Sequence, residues 1–243
     1  MQFKRNVIIP MSENTFVTAV IVAAGNSTRM KSEVSKQLLP LLSKPVISYT
    51  LRAFEEASSI SEVVVVCRDC DSPFIEEIVK SENCSKVTAF TEGGATRSQS
   101  VIAGINCASD KTTHFAIHDG ARPLVLPKDI NRVIEAGINN KAAALAVPVT
   151  DTVKVVDDEG FIVSTPLRST LRAAQTPQVF EKNLYLTALE KNKDADFTDD
   201  CALVETVGAK VQIVIGDYTN IKVTTPQDIA LAEGIIRDRN DRE

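Results

Sequence analysis

The chain has 243 residues, of which 44% are apolar and 24% charged, so it can bury a sizeable core and does not have the composition of a disordered protein. Its formal net charge of -5 argues against broad binding to nucleic acid or to an anionic membrane surface, but leaves room for a local cationic pocket. No apolar run approaches the roughly 20 residues that a membrane-spanning helix needs.

Residues 1–18 carry two positive charges and a short apolar patch without an A-x-A-like cleavage site. They do not read as a secretory signal, and a start at Met1 or Met11 stays open. The first strong signal is residues 19–37. Val20, Ile21 and Val22 predict a buried strand that runs into the small-residue turn Ala23, Ala24 and Gly25, where backbone amides can approach a ligand closely. Arg29 and Lys36 follow in the same loop. Bare amides and fixed cations together suit a phosphate-bearing ligand, because they replace the hydration of its anionic oxygens. The stretch is neither a Walker A loop nor a complete GxGxxG signature, so taken alone it also fits an α/β turn with no ligand.

Pro45 then opens a helix in which Ile47, Leu51 and Phe54 form one apolar stripe. EVVVVC, residues 62–67, is apolar on both faces, as a central parallel strand is. Cys67 and Cys70 make a CxxC at its end, but there is no second cysteine pair and the chain has only two histidines. The five scattered cysteines read as buried or idle thiols in a reducing cytoplasm. Ser72 and Pro73 predict the cap and first turn of a helix through Lys80, and residues 86–90 a short strand. EGGATRSQS, residues 92–100, leads into a helix with Val101 and Ile105 facing inward. Its glycines and hydroxyls suit either a nucleotide contact or a simple helix cap.

The next strand, residues 114–117, ends in HDGARP. Asp119 lies where open α/β sheets bind ligands and suits a divalent cation that bridges phosphate oxygens. Arg122 suits a bidentate grip on a second anion. His118 reads more readily as a residue that orients the turn than as a general base. A helix over residues 127–138 and a strand over 142–149 complete an alternation of βα units, which predicts a mostly parallel, three-layer domain. TVKVV and FIVS then flank the turn DDEG as a β-hairpin. Two strands are marginal alone in water. The segment from about 152 to 171 is therefore expected to project as an arm onto a second subunit, the alternative being that it folds back on its own sheet.

In the last third, AQTPQVF approaches a helix around residues 184–189, and TDDCALVE supplies a hydroxyl and two carboxylates before another helix. Residues 211–215 predict a strand, and Pro226 starts a final helix carrying Ile229, Leu231 and Ile235, with a charged tail expected to fray from Arg237. The plan is one α/β domain with an excursion.

Taken in order, AAGNSTRM, SKQLLPL, GGATRSQSV, HDGARP, PVTDTVK, AQTPQVF, TDD and DYTNIKVTTPQDIALAE resemble the 2-C-methyl-D-erythritol 4-phosphate cytidylyltransferases of the non-mevalonate isoprenoid pathway. The resemblance implies a Rossmann-like three-layer nucleotidyltransferase domain over residues 17–238, with a projecting β-hairpin arm that interlocks a cytoplasmic homodimer. It implies that Ala23, Ala24, Gly25, Asn26 and Ser27 surround CTP, that Gly94 and Ser100 lie near its cytosine and ribose, and that Arg29 and Lys36 are catalytic at its phosphates. Asp119 would hold magnesium. Arg122, Thr198 and Lys222 would contact the phosphorylated polyol that accepts the group, while Thr152 and Arg168 would reach the neighbouring subunit's site. Three departures from the family pattern stand out: Ser27 for a glycine, Ser35 for a proline before the lysine-glutamine pair, and Gly120 for the first alanine after the aspartate of HDAARP. Ser27 is expected to stiffen or shift the CTP loop, and Ser35 to loosen the placement of Lys36.

The implied reaction is attack by a phosphate oxygen of the acceptor on the α-phosphorus of CTP, with release of pyrophosphate. A phosphate monoester has a second pKa of about 6, so no general base is required near neutral pH. The alternatives are a ribitol 5-phosphate cytidylyltransferase, a sugar-phosphate nucleotidyltransferase using another nucleotide, and a nucleotide-binding protein without catalysis.

Overall fold

Strands whose side chains are apolar on both faces form a sheet covered on both sides in the computed structural model, which describes residues 15–25, 35–193 and 197–242. In chain order, β1 (Val17–Val22) precedes the short β2 (Pro40–Leu41) and β3 (Lys44–Pro45), then α1 (Val46–Glu56), β4 (Glu62–Cys67), α2 (Ser72–Ser81), β5 (Val87–Glu92), α3 (Arg97–Asn106) and β6 (His114–Asp119). Next come α4 (Pro127–Asn140), β7 (Ala142–Pro148), β8 (Val155–Val156) and β9 (Ile162–Ser164). The chain ends with β10 (Arg172–Glu181), α5 (Lys182–Lys191), α6 (Asp200–Glu205), β11 (Gln212–Ile215) and α7 (Pro226–Asn240).

Among the described residues, seven strands form the main sheet in the order β11-β7-β10-β6-β1-β4-β5. The period of two along β1 sets the layers. Val17, Ala19 and Ile21 pack with Ile47 and Phe54 of α1, Ile75 of α2 and Ile130 of α4. Val20 faces the other way, into a cluster with Val101 of α3, Tyr185 of α5 and Leu203 of α6. Each fully buried side chain of this size contributes on the order of 1.5–3 kcal/mol. Gly104 lets α3 approach closely, since a Cβ there would lie 2.5 Å from Val20 Cγ1 and 2.7 Å from Val66 Cγ2. That contact seats the C-terminal half of α3 against β1 and β4.

The sheet is parallel except for β10, which runs antiparallel to both β6 and β7. This ten-residue strand is the main difference from the sequence reading, which took AQTPQVF only as the approach to a helix. A proline ordinarily argues against a central strand because it removes a ladder donor. Here Pro177, after a cis peptide bond, falls within a register shift between Ala174 and Gln178, so pairing resumes beyond it.

Smaller features, two of them corrections at helix ends, have local causes. The N-cap of α2 is Asp71, and Ser72 is already helical with its hydroxyl donating to Glu76. Leu231 of α7 is exposed, while Ala232 and Ile236 pack against Leu41, Val46 and Leu124. The tail does not fray at Arg237: the helix continues to Asn240, with Arg239 donating to the Leu124 carbonyl and the Thr219 hydroxyl.

The hairpin β8-β9 forms its own two-stranded sheet, apart from the main one. Its turn uses Gly160 at φ +89°, and the Asp157 carboxylate accepts from the amides of Glu159 and Phe161. Phe161, Ile162, Val163 and Leu167 remain 62–69% exposed. An apolar patch of this kind marks an interaction surface.

All five cysteines are free, and burial pushes the Cys67 and Cys84 thiols up to about 11. Among the described residues no helix is long and apolar enough to cross a membrane.

Candidate active site

Three loops leave the C-terminal edge of the sheet side by side, held by hydrogen bonds that extend the ladders past the strand ends. The amide of Ala23 donates to Val66 O (2.7 Å), that of Gly93 to Cys67 O (3.1 Å) and that of Gly120 to Val22 O (2.8 Å). Gly93 is required by close approach, because a Cβ there would collide with the Ala24 methyl. The start of α3 is closed by a capping box between Thr96 and Gln99. Ser100 accepts from the Gly94 amide and donates to the Thr96 carbonyl, so this loop is both capped and part of a cavity wall.

A cavity of about 250 Å³ is lined by Ala24, Gly25, Lys36, Gly94 and Ser100 together with Arg97, Asp119 and Lys222. A neighbouring cavity of about 300 Å³ is lined by Arg122, Gln175, Gln178, Thr198 and Asp199, and again by Arg97, Asp119 and Lys222. Ala23 is buried beneath the first cavity. Thr152 and Arg168 line neither; both are exposed, and Arg168 donates to the Thr150 carbonyl. Asn26, Ser27 and Arg29, like the two candidate start methionines, lie outside the described residues.

Asp119 is the centre of the charge arrangement. Its carboxylate lies 2.8 Å from Lys222 Nζ, 3.3 Å from Arg97 Nε and 3.7 Å from Arg122 Nε. Burial would raise its pKa, but the Lys222 and Arg97 cations outweigh burial and hold it well below the usual carboxylate range. Burial lowers the pKa of Arg122, which donates through Nη1 to Asn220 O at 2.8 Å, while its buried Nε makes no hydrogen bond. Lys36, Arg97, Arg122 and Lys222 thus face Asp119, Asp199 and the nearby Asp200, which leaves the cleft of an acidic chain locally cationic by a single charge.

His118 does not offer an acid or base to this cleft. It is fully buried against Phe54, and burial pushes it down to about 3. A neutral ring protonated on Nε2 donates to the Arg122 carbonyl (3.3 Å) and accepts the Thr176 hydroxyl on Nδ1 (2.9 Å). The Thr176 oxygen in turn accepts from the Asp119 amide, so the histidine orients the turn that carries Asp119 and Arg122.

Sequence reading missed Arg97, Asp200 and Tyr185. Arg97 stood in the flagged EGGATRSQS loop and Asp200 in TDD, but their 2.7 Å ion pair joins residues 103 apart in sequence, which no local spacing reveals. Of the departures, Ser35 is buried with its hydroxyl donating to Gln37 Oε1 at 2.5 Å, and its carbonyl accepts from Leu38, so the turn around Lys36 is tied rather than loose. At Gly120 an added Cβ would lie 3.1 Å from the Ala23 Cβ and 3.2 Å from the Val22 carbonyl oxygen, tighter than ordinary contact, so these neighbours would have to give by a few tenths of an ångström.

Asp119 is a single carboxylate, and among the described residues there is no cluster of three or more His, Cys, Asp or Glu side chains that could hold a metal ion. One carboxylate is within what magnesium takes, since it commonly binds one or two and fills its sphere with substrate phosphates and water, although here the Asp119 oxygens are held by Lys222, Arg97 and Arg122.

The family model described as IspD, 2-C-methyl-D-erythritol 4-phosphate cytidylyltransferase, matches residues 17–238. The chain belongs to this family. A 2-C-methyl-D-erythritol 4-phosphate cytidylyltransferase from Caldanaerobacter subterraneus is 45% identical over 91% of this chain and 99% of its own. The crystal structure of the 4-diphosphocytidyl-2C-methyl-D-erythritol synthase from Anaerococcus prevotii superposes with a TM-score of 0.83 at 30% identity, covering 92% of this chain and 97% of that one. The 2-C-methyl-D-erythritol 4-phosphate cytidylyltransferase from Thermus thermophilus matches at a TM-score of 0.73 and 30% identity, over 92% of this chain and 100% of its own. As a member of the IspD family, the chain is an enzyme of the nucleotidyltransferase class with a Rossmann-like α/β fold.

Proposed function

We propose that the enzyme transfers the cytidylyl group of CTP to 2-C-methyl-D-erythritol 4-phosphate, forming 4-CDP-2-C-methyl-D-erythritol and pyrophosphate in the cytoplasm, with residues 17–238 acting as one catalytic domain. The observation that carries this reading is that two adjacent cavities share Arg97, Asp119 and Lys222. Two phosphorylated ligands seated side by side would bring their phosphates over one cation cluster, which is what in-line transfer between them requires. The same names borne by the relatives agree with it.

In this reading CTP takes the first cavity. The small residues Ala23, Ala24, Gly25, Gly94 and Ser100, with Asn26 and Ser27, admit the base and ribose, and Arg29 and Lys36 offset charge on the α-phosphoryl group and the departing pyrophosphate. Arg122, Thr198 and Lys222 hold the acceptor phosphate in the second. Asp119 would hold magnesium together with triphosphate oxygens, and the bound ion would supply charge neutralisation across the phosphates. As phosphates enter, Lys222 and Arg97 exchange part of their contact with Asp119 for phosphate oxygens. The acceptor phosphate arrives already dianionic, with a second pKa of about 6, so neither His118 nor any other base need take a proton.

The test is pyrophosphate release by purified enzyme with CTP and magnesium, with methylerythritol phosphate and ribitol 5-phosphate in parallel. Fast release with methylerythritol phosphate alone is expected. Preference for ribitol phosphate would keep the chemistry and overturn the acceptor, and tight CTP binding without release from either would point to a protein that binds without catalysis.

The exposed apolar arm supports a homodimer in which Thr152 and Arg168 complete the partner's acceptor site. The expected mass in solution at micromolar concentration is that of a dimer, reduced to a monomer by Ile162→Asp; a monomeric wild type would contradict the arm's role.

A further inference from the structure

We infer that Tyr185 and Asp200 are a positioning pair that fixes the Arg97 guanidinium at the junction of the two cavities, where Arg97 bridges the donor and acceptor phosphates. This rests on the proposed cytidylyl transfer. Arg97 is the first residue of α3, and its side chain lines both cavities. It is clamped from two sides, with Nη1 2.7 Å from Asp200 Oδ2 and Nε 3.3 Å from Asp119 Oδ1. Asp200 is 3% exposed and is itself fixed from two further directions. Its Oδ1 accepts the Tyr185 hydroxyl at 2.6 Å, and its amide donates to Gln178 Oε1 at 3.1 Å on β10. Tyr185, 2% exposed, is locked by edge packing on Phe115 and tilted packing on Phe180.

The chain of contacts therefore runs from the apolar layer beneath the sheet to a cation shared by both ligand pockets. A phenylalanine would fill the Tyr185 site just as well, so packing does not account for the hydroxyl. Its role is to hold one carboxylate oxygen so that the other meets Arg97 in a fixed direction. Burial disfavours the Arg97 cation, but the Asp200 and Asp119 carboxylates outweigh this and keep it charged. A rigid guanidinium fork can grip two oxygens in fixed geometry, which a lysine cannot. The bond between Tyr185 and Asp200 adds to stability as any buried bond to a carboxylate does, and it also bears directly on where that fork points.

The experiment compares Tyr185→Phe, Arg97→Lys and the double variant. Loss of a hydrogen bond to a charged group is expected to lower kcat about tenfold in Y185F, and loss of the fork about 100-fold in R97K, with Tm within a few degrees of wild type. Because Tyr185 acts through Arg97, adding Y185F to R97K should lower kcat no further. Calorimetric binding of inorganic pyrophosphate gives a readout independent of turnover, and should weaken about threefold or more in both single variants. A wild type that releases no pyrophosphate, with binding still weakened in both variants, would sink the transfer reading and leave the positioning role standing. Unchanged kcat and unchanged pyrophosphate affinity in Y185F would overturn the inference, as would an equal loss of kcat from Y185F in the R97K background.

Discussion

Replacing Lys36 with alanine is expected to lower kcat by about 10²- to 10³-fold, the loss typical of one preorganised group aimed at developing transition-state charge. Lys36 lines the first cavity, the proposed CTP site, on a turn tied by Ser35 and Gln37, whose carbonyl also accepts from the Ile47 amide at the start of α1. That anchoring is what makes the lysine a fixed charge rather than a floating one, and a fixed charge needs no reorganisation as the α-phosphoryl group turns towards its five-bonded geometry. Lys36 lies at the cleft and outside the apolar clusters, so the expected change in Tm is small beside the loss of turnover. Lys36→Arg should recover part of the loss by restoring charge at a similar reach. Initial rates of pyrophosphate release, read beside thermal unfolding, test this, and near-normal turnover in K36A would remove the lysine from the proposed mechanism.

The second large effect is expected at Asp119. Asp119→Asn keeps the shape of the side chain but leaves Lys222, Arg97 and Arg122 facing one another around a neutral group. Breaking a buried pair in this way costs about 3–5 kcal/mol, which for a chain of this size lowers Tm by roughly 10 °C. Turnover should fall by about 10²-fold or more, because the same carboxylate is the proposed magnesium ligand and sets the spacing of the cations. The pH dependence has a definite sign. Since Asp119 titrates below its ordinary value in the folded protein, its contribution is complete above the unfolded pKa of about 3.9 and is lost as pH falls towards the folded one. The stability gap between wild type and D119N should therefore be constant near neutrality and narrow below about pH 4. A variant with wild-type Tm at pH 7 would show that the cations are compensated elsewhere.

Much of the scaffold was legible because its signals are local. EVVVVC could only be a strand buried on both faces, the stripe of Ile47, Leu51 and Phe54 could only be one face of a helix, and the acidic turn closing on Gly160 declared a hairpin. The same holds for Asp119, whose place at the end of a strand follows from topology, and for Lys36, which follows a glycine turn. The central strand β10 was hidden because its proline breaks the usual strand signature, and only the register shift against β7 makes it tolerable. The final helix was legible from Pro226 and its apolar residues, but which of them is buried was not, because Ile229, Leu231 and Ile235 do not by themselves fix the rotation that the packing of Ala232 and Ile236 sets. Arg97 was passed over for a different reason. Its importance comes from meeting Asp119 and Asp200, 22 and 103 residues away, and that convergence exists only once the sheet and α6 are assembled.

The most direct test of the account is where the acceptor's oxygen ends up. Methylerythritol phosphate labelled with ¹⁸O in the non-bridging oxygens of its phosphate would be converted with CTP and magnesium, and the product read by ³¹P NMR. Attack by the acceptor phosphate on the α-phosphorus predicts label in the oxygen that bridges the two phosphorus atoms, with unlabelled pyrophosphate released. A product without a labelled bridge, as attack by an acceptor hydroxyl would give, or label appearing in pyrophosphate, would contradict the account.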